Sequence, residues 1–79
     1  MKIYSVFDLK AASYGPLVAY LTDGEAARAL ALMLKEKGTS LSEFPGDFNL
    51  TQVGEWDPQT GQLSGGDPRV VCNLAALLA

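Results

Sequence analysis

The sequence predicts an α+β domain, with a small antiparallel sheet of four or five strands and one main helix packed on a face. Two segments carry this prediction. Residues 48–63 contain two stretches rich in β-branched and aromatic residues around a turn, which is typical of a β-hairpin. Residues 22–38 contain an amphipathic segment with helix start and stop signals. With 79 residues, the chain makes one domain, 1–79, whose core alone stabilises it only marginally.

The first 21 residues predict two strands joined by a loop. Residues 2–7 are rich in β-formers and predict the first strand. Residues 8–16 contain Asp, Ser, Gly and Pro and predict a loop, with one helical turn at 9–12. Residues 17–21 are apolar on both faces of a short strand, so we expect them to be buried on both sides.

The helix is predicted to begin at a capping box and to end before a glycine. The Thr22 hydroxyl can accept a hydrogen bond from the Glu25 amide while the Glu25 carboxylate reaches back to the Thr22 amide. The helix then continues to Lys37, and Gly38 terminates it in the left-handed conformation. Its apolar stripe is formed by Ala26, Ala29, Leu30, Met33 and Leu34.

The second half of the chain is organised by the hairpin. After a loop at 39–47, a strand is expected over 49–56, and residues 57–61 (Asp-Pro-Gln-Thr-Gly) supply turn chemistry. The apolar phase changes within the first strand, which makes Gly54 a bulge or a point of close backbone approach. Residues 64–68 predict a Gly-rich loop. Residues 69–72 predict a final strand, followed by a short helix 74–78 capped by Asn73.

The composition argues against catalysis and against a bound metal or cofactor. The chain has no histidine, which removes the commonest general base and metal ligand. Its one cysteine, Cys72, has no activating partner and is expected to be a small hydrophobic residue buried in the core, in a reducing cytoplasm. Glu55 and Asp57 are the most enzyme-like pair, but Asp57 already has a turn role. No apolar run is long enough to span a membrane, and the N-terminus lacks a signal-peptide pattern.

The charge is unevenly distributed along the chain. Residues 1–40 carry five basic and four acidic residues, whereas residues 41–79 carry one basic and five acidic residues. An acidic chain is a poor candidate for strong nonspecific duplex binding, which depends on phosphate neutralisation. Any nucleic-acid surface is therefore expected in the first half, where aromatic and basic residues suit a single strand. The candidate nucleic-acid-binding residues are Lys10, Tyr14, Arg28, Lys35 and Lys37.

A second set of residues is a candidate for an oligomer interface. Leu32 lies outside the apolar stripe, among charged residues of the helix. Residues 74–79 carry no polar side chain, and the sequence leaves core packing and a subunit contact equally open for this tail. The candidate interface residues are Leu32, Leu74, Leu77 and Leu78.

These motifs resemble a known family in their order along the chain. The resemblance begins with Ile3-Tyr4, Phe7-Asp8, Lys10-Ala11, Tyr14 and Pro16, and continues with Thr22, Gly24, Ala26 and Arg28. It is strongest at Pro45, Asp47-Phe48, Leu50, Val53-Gly54-Glu55-Trp56-Asp57 and Thr60-Gly61-Gln62-Leu63. The chain resembles the small non-structural protein of the gokushoviruses, a branch of the Microviridae, which are single-stranded DNA bacteriophages. It departs from that pattern at Leu17 and Val18, where such proteins often have phenylalanine, and beyond Gly65.

The resemblance implies a phage protein made during infection, in the host bacterial cytoplasm, and absent from the mature capsid. Such proteins are usually assigned to genome handling, meaning single-stranded DNA synthesis or the switch from replication to packaging. The first hypothesis is therefore weak, salt-dependent association with single-stranded DNA. The alternative is a homo-oligomeric protein-interaction module that docks on phage replication or procapsid proteins without touching DNA. The acidity of the chain favours the second hypothesis, and the family association favours the first.

Overall fold

The computed structural model describes residues 1–78, which form a curled antiparallel sheet with one main helix on one face. The α+β prediction is confirmed. The sheet strands are β1 (Lys2–Asp8), β2 (Ser13–Tyr14), β3 (Val18–Tyr20), β4 (Phe48–Asp57) and β5 (Gln62–Asn73). The helices are α1 (Asp23–Met33) and α2 (Ser40–Glu43), with two short 3-10 helices at Pro45–Asp47 and Leu74–Leu78.

The sheet is built around β1 and β4. The strand order is β2-β1-β4-β5, and β3 pairs with β1 on the same side as β2. All of these pairings are antiparallel. The predicted loop at 8–16 contains the short strand β2, which pairs with the end of β1. The chain turns between these two strands, where the Asp8 carboxylate accepts hydrogen bonds from the amides of Lys10 and Ala11.

The β4–β5 hairpin forms as the turn chemistry predicts. The Asp57 carboxylate accepts from the amides of Gln59 at 2.9 Å and Thr60 at 3.4 Å. Gly61 adopts a φ of 76°, and its amide donates to the Asp57 carbonyl at 2.8 Å. A left-handed φ is favourable for glycine because it has no Cβ. The turn therefore uses its acidic residue for amide capping and its glycine for re-entry into the sheet.

Gly54 is a point of close backbone approach, as predicted. It pairs with Gly65 of β5, and a Cβ at position 54 would lie 2.4 Å from the carbonyl oxygen of Ser64. No other glycine shows so short a contact among the residues that the structure describes. At this point the register shifts in both pairings of β4, the one with β1 and the one with β5.

The predicted Gly-rich loop at 64–68 is wrong, because these residues belong to the continuous strand β5. Between the pairs Gly54–Gly65 and Gln52–Arg69, three residues of β5 lie opposite Val53 alone. This bulge lets β5 keep its pairing on either side although Pro68 has no amide proton to donate. The composition of residues 64–68 is typical of a loop, but β4 is long enough to pair with β5 on both sides of the bulge.

Helix α1 begins as predicted and ends earlier than predicted. The Thr22 hydroxyl accepts from the Glu25 amide at 3.1 Å, but the Glu25 carboxylate accepts from the amide of Leu21 and not from that of Thr22. The helix ends at Met33: the Leu34 amide still bonds four residues back to Leu30, but the amides of Lys35 and Glu36 bond three residues back in a tighter turn. Gly38 has the expected left-handed φ of 85° but lies beyond this turn.

Two further segments differ from prediction. The loop at 39–47 contains α2, whose Thr39 cap and Ser42 side chain bond each other's backbone amides. Strand β3 is buried on one side only, because Leu17 and Ala19 are exposed whereas Val18 and Tyr20 pack on the core. Since a strand alternates its side chains, a uniformly apolar segment does not require two buried faces.

The hydrophobic core lies between α1 and one face of the sheet. Its buried members are Tyr4, Ala26, Leu30, Leu34, Leu50 and Leu74. Cys72 packs against them as a small hydrophobic residue, but it is only partly buried, whereas the sequence predicts full burial. The Asn73 side chain accepts from the Ala75 amide at 3.1 Å, so it caps the C-terminal segment as predicted, although that segment is a 3-10 helix. Within residues 1–78, no helix is both long and apolar enough to cross a membrane.

Candidate interaction face on the sheet

The sheet has a second face, which points away from α1. Tyr4 is part of the core and Val6 packs against it, so strand alternation directs Ile3, Ser5 and Phe7 to the opposite side. Directly paired residues of neighbouring strands share a face, which extends the assignment across the sheet. We call this surface the open face. Its residues are Ile3, Ser5, Phe7, Tyr14, Ala19, Asn49, Thr51, Gly54, Trp56, Leu63, Gly65, Val70 and Asn73.

The open face carries no charged side chain, and the N-terminal ammonium of Met1 donates to the carbonyl of Trp56 at its edge. The charged residues of the strands lie on the helix side or at the hairpin turn and bulge: Lys2, Asp8, Glu55, Asp57, Asp67 and Arg69. The position of Lys2 and Arg69 is confirmed by their contacts with Asp23 of α1. Sheet faces that meet water usually carry polar and charged residues. The open face therefore differs from an ordinary solvated surface.

Large apolar side chains lie on the open face. The rings of Phe7 and Tyr14 are 4.6 Å apart between centroids and inclined by 51°. Trp56 is half-buried and pairs with Leu63, which is 63% exposed. Tyr14 is 49% exposed and Val70 is 58% exposed. Aromatic and aliphatic surface of this kind favours contact with another apolar surface or with stacked rings.

The centre of the open face is formed by small side chains. Ser5 and Thr51 are paired across β1 and β4, and both are buried. The Ser5 hydroxyl donates to the carbonyl of Gly15 at 2.9 Å, so burial leaves it satisfied. Ile3 is buried beside them, yet it does not belong to the core cluster under α1. The polar groups at the centre of the open face are thus buried and hydrogen-bonded, and larger apolar residues surround them.

A polar cluster lies on the other side of the sheet, at the start of α1. The Asp23 carboxylate accepts from the Tyr4 hydroxyl at 2.6 Å and from Arg69 Nη2 at 3.0 Å. Lys2 Nζ lies 3.7 Å away, and Arg69 also donates to Gln52 Oε1 at 2.7 Å. These partners, first the Tyr4 hydroxyl, lower the pKa of Asp23, whereas burial raises the pKa of Tyr4. Every member of the cluster bonds within the fold, so its role is structural.

An apolar hollow of about 410 Å³ also lies on the helix side. Its lining combines core-side residues with residues of the β1–β2 hairpin and the loop after it: Val6, Val18, Leu30, Met33, Leu41 and Phe48, with Asp8, Ser13, Tyr14, Gly15 and Pro16. The segments around it carry both signs of charge: Lys10, Lys35 and Lys37 with Asp8, Glu36, Glu43 and Asp47. Asp8 is a charged residue in the lining itself, so the hollow is not an uncharged apolar surface. Within residues 1–78 no cluster of acidic or cysteine side chains could hold a metal ion.

The structure separates the predicted nucleic-acid-binding residues. Tyr14 lies on the open face, and Lys10 is exposed in the loop between β1 and β2. Arg28 is exposed on α1, and its helical position is about 140° from that of Met33, which lines the hollow. Lys35 and Lys37 are exposed in the turn after α1. We call α1 and the turn after it, together with the sheet side that they cover, the helical layer. Arg28, Lys35 and Lys37 belong to this layer, whereas Tyr14 pairs with Phe7 of the open face.

The predicted interface residues also divide into groups. Leu74 is a predicted interface residue, but its side chain is completely buried in the core of its own chain. Leu77 packs partly against the same core. Leu32 and Leu78 are 59% and 60% exposed, so their interface role stays a prediction. Ala79, the end of the predicted apolar tail, lies outside the described residues.

Sequence reasoning missed most of the open face. Sequence proximity to basic residues makes Tyr14 a candidate, whereas the sequence predicts Trp56, Leu63 and Val70 as members of the hairpin and the final strand. A signal was present in β1, where Lys2 and Asp8 alternate with Ile3 and Phe7. An alternation in which the charged residues share a face with the core implies an uncharged opposite face.

The architecture defines a small α+β protein in which one helix covers one face of a curled sheet and leaves an uncharged face open. Residues 1–77 match the family described as Phage ORF5 protein, so the chain belongs to that family. It is also 30% identical over 81 residues to Protein ORF5 of Chlamydia phage 1, a gokushovirus, covering 96% of this chain and 83% of that protein. The resemblance to small gokushovirus proteins is thereby confirmed. No solved structure matches.

Proposed function

We propose that this phage ORF5 protein is a non-catalytic accessory protein that acts in the host cytoplasm by docking protein partners on its open face. The observation that carries the proposal is the absence of charge from that face in a protein with 15 charged residues. Depletion of charge and enrichment of aromatic residues characterise the cores of protein interfaces. The candidate partners are phage replication or procapsid proteins and further copies of the chain.

The position of the cations favours a protein partner over a nucleic acid. Single-strand binding combines aromatic stacking with cations that follow the phosphates. Arg28, Lys35 and Lys37 belong to the helical layer, so a strand stacked on Tyr14 would not meet them. Apolar contact with a protein surface needs no cation and uses the side chains that the open face presents.

Site-specific photo-crosslinking during infection tests the proposal. A benzophenone amino acid replaces Tyr14 on the open face, and a matched variant carries it at Leu32, which is similarly exposed on α1. We expect crosslinks to a protein from position 14 and fewer from position 32, identified by mass spectrometry. Absence of protein crosslinks from position 14, with the variant present at wild-type levels, would contradict the proposal.

Single-stranded DNA remains a second candidate because one observation supports it. The Phe7 and Tyr14 rings and the Trp56 ring lie on the same face, and bases can stack on exposed aromatic side chains. Fluorescence anisotropy of a labelled oligonucleotide at low and moderate salt tests this candidate. Binding that is lost in Tyr14→Ala and weakened in Lys10→Glu would support it. Binding that depends on Arg28 and not on Tyr14 would place the DNA on the helical layer instead.

A further inference from the structure

We infer that the partner of the open face is a second copy of the chain, so that two sheets pack face to face in an isologous dimer. The inference rests on the proposed function, because it names the occupant of the same face. It concerns residues that lie outside the core under α1, namely Phe7, Tyr14, Trp56, Leu63 and Val70.

Charge is the first argument for self-pairing. Two copies with a net charge of −3 each repel one another at long range, and the repulsion is strongest where their acidic surfaces meet. In an isologous contact each residue faces the same surface of the partner, so a charge close to the two-fold axis would approach its own copy. The open face has no charged side chain, and it therefore lets two identical copies approach without a like-charge contact.

The size of the face is the second argument. Strand β4 has ten residues and four strands lie side by side at its widest. At a rise of about 3.3 Å per residue and a strand spacing of about 4.8 Å, this sheet covers on the order of 500–600 Å² of plane. A stable interface buries about 800 Å² of accessible surface on each partner, and protruding side chains make accessible area larger than the plane beneath them. The plane of the sheet is thus of the same order as the area that each partner buries in a stable dimer, with the accessible part supplied by exposed residues such as Tyr14, Leu63 and Val70.

The side-chain layout is the third argument. Packed sheets lie about 10 Å apart, and side chains from the two inner faces fill the space between them. Ser5 and Thr51 are already buried and leave the centre shallow, while Tyr14, Leu63 and Val70 are about half or more exposed around it. A second sheet would cover these exposed side chains and exchange water for apolar contact. The helix-side hollow offers no comparable match, because the charged Asp8 belongs to its lining.

Sedimentation equilibrium of the purified full chain at micromolar to submillimolar concentrations tests the inference. The wild-type protein is expected to be a dimer at the upper end. Val70→Glu and Tyr14→Glu are expected to raise the dissociation constant at least about tenfold, because each buries an unpaired carboxylate in the contact. Leu32→Glu tests the alternative interface that the sequence predicts on α1, where Leu32 is 59% exposed. If the dimer forms through the open face, this substitution is expected to leave the dissociation constant unchanged. Tyr14→Phe, which keeps the ring, is expected to preserve the dimer.

The outcomes separate the inference from the proposed function. Circular dichroism and urea unfolding establish that each variant is folded before its mass is interpreted. A wild-type protein that stays monomeric throughout, or a dimer that only Leu32→Glu dissociates, would overturn the inference. The protein could instead be monomeric while crosslinks from position 14 reach another phage protein. In that case the open face does not bind a second copy, and the proposed function stands. If crosslinks from position 14 reach no protein, both fail.

Discussion

At the scale of single residues, Asp23 joins three elements through one carboxylate. It lies at the start of α1, accepts from the Tyr4 hydroxyl of β1 and pairs with Arg69 of β5. Tyr4 is completely buried, so its hydroxyl depends on this acceptor. A carboxylate in the first turn of a helix also interacts favourably with the helix dipole. The same group therefore satisfies a buried donor and fixes the position of the helix on the sheet.

Replacing Asp23 by alanine is expected to destabilise the fold by about 1–3 kcal/mol. The reason is that the substitution leaves the buried Tyr4 hydroxyl without its partner, and an unsatisfied buried group costs that much. The free energy of unfolding by urea measures the effect. Asp67→Ala is the control, because Asp67 is an exposed acid on the β5 bulge and its loss is expected to change stability by less than about 0.5 kcal/mol. Equal effects of the two substitutions would contradict the role assigned to Asp23.

The contribution of Asp23 is expected to depend on pH. Its pKa is lowered in the fold, first by the Tyr4 hydrogen bond and then by the Arg69 contacts, relative to an unfolded value of about 3.9. A lowered folded pKa means that the stabilisation is present above the unfolded pKa and is lost as pH falls through the folded pKa. The difference in unfolding free energy between wild type and Asp23→Ala should therefore be largest near neutral pH. It should shrink in acid below about pH 4, and a difference that grows in acid would refute the assignment.

At the scale of elements, the β4–β5 hairpin combines a predictable turn with an unpredicted long strand. The turn is local chemistry, in which Asp57 caps the amides of Gln59 and Thr60 and Gly61 takes a positive φ. The length of β5 is not local, because residues 64–68 become a strand only by lying beside β4. The close approach at Gly54 is the contact that holds these two strands at their register.

Gly54→Ala is expected to destabilise the hairpin by more than about 1 kcal/mol, since a Cβ would lie 2.4 Å from the backbone carbonyl oxygen of Ser64. The opposing atom is main chain, so relief requires a shift of the strand. Gly66→Ala is the matched control on β5, because a Cβ there meets nothing within 4 Å. Urea unfolding of both variants measures the contrast. A Gly54→Ala protein as stable as Gly66→Ala would show that the strands separate without cost.

At the scale of the whole molecule, the helical layer and the open face divide the chemistry of the chain. The helical layer holds the core, the Asp23 cluster and most of the cations, whereas the open face holds uncharged and aromatic residues. An apolar sheet face is stabilised when another layer of structure packs against it, and the open face has no such layer within its own chain. The proposed dimer would supply that second layer.

The melting temperature is therefore expected to rise with protein concentration. A dimer that dissociates on unfolding is stabilised by mass action, so its midpoint depends on the total concentration of chains. Circular dichroism melts over a hundredfold concentration range measure the shift. The dimer-breaking Val70→Glu variant serves as the comparison and is expected to melt at a concentration-independent temperature. A wild-type midpoint that does not move with concentration would argue for a monomer.

The sequence by itself determined the local features of this protein. Capping at Thr22, the Asp57–Gly61 turn, the first strand and the requirement for glycine at position 54 all follow from residue chemistry over a few positions. Family membership follows from the order of such motifs along the chain. These features are predictable because the interacting groups lie close together in sequence.

Only the tertiary structure decided which residues form each surface. Asp23 and Arg69 meet across 46 positions of sequence, and residues 64–68 become a strand only because β4 lies beside them. Alternation gives every strand two faces, but the position of α1 decides which of them is core and which is open. The candidate interaction face could not be read from sequence for this reason: its members come from five strands and share only the side of the sheet that the helix leaves uncovered.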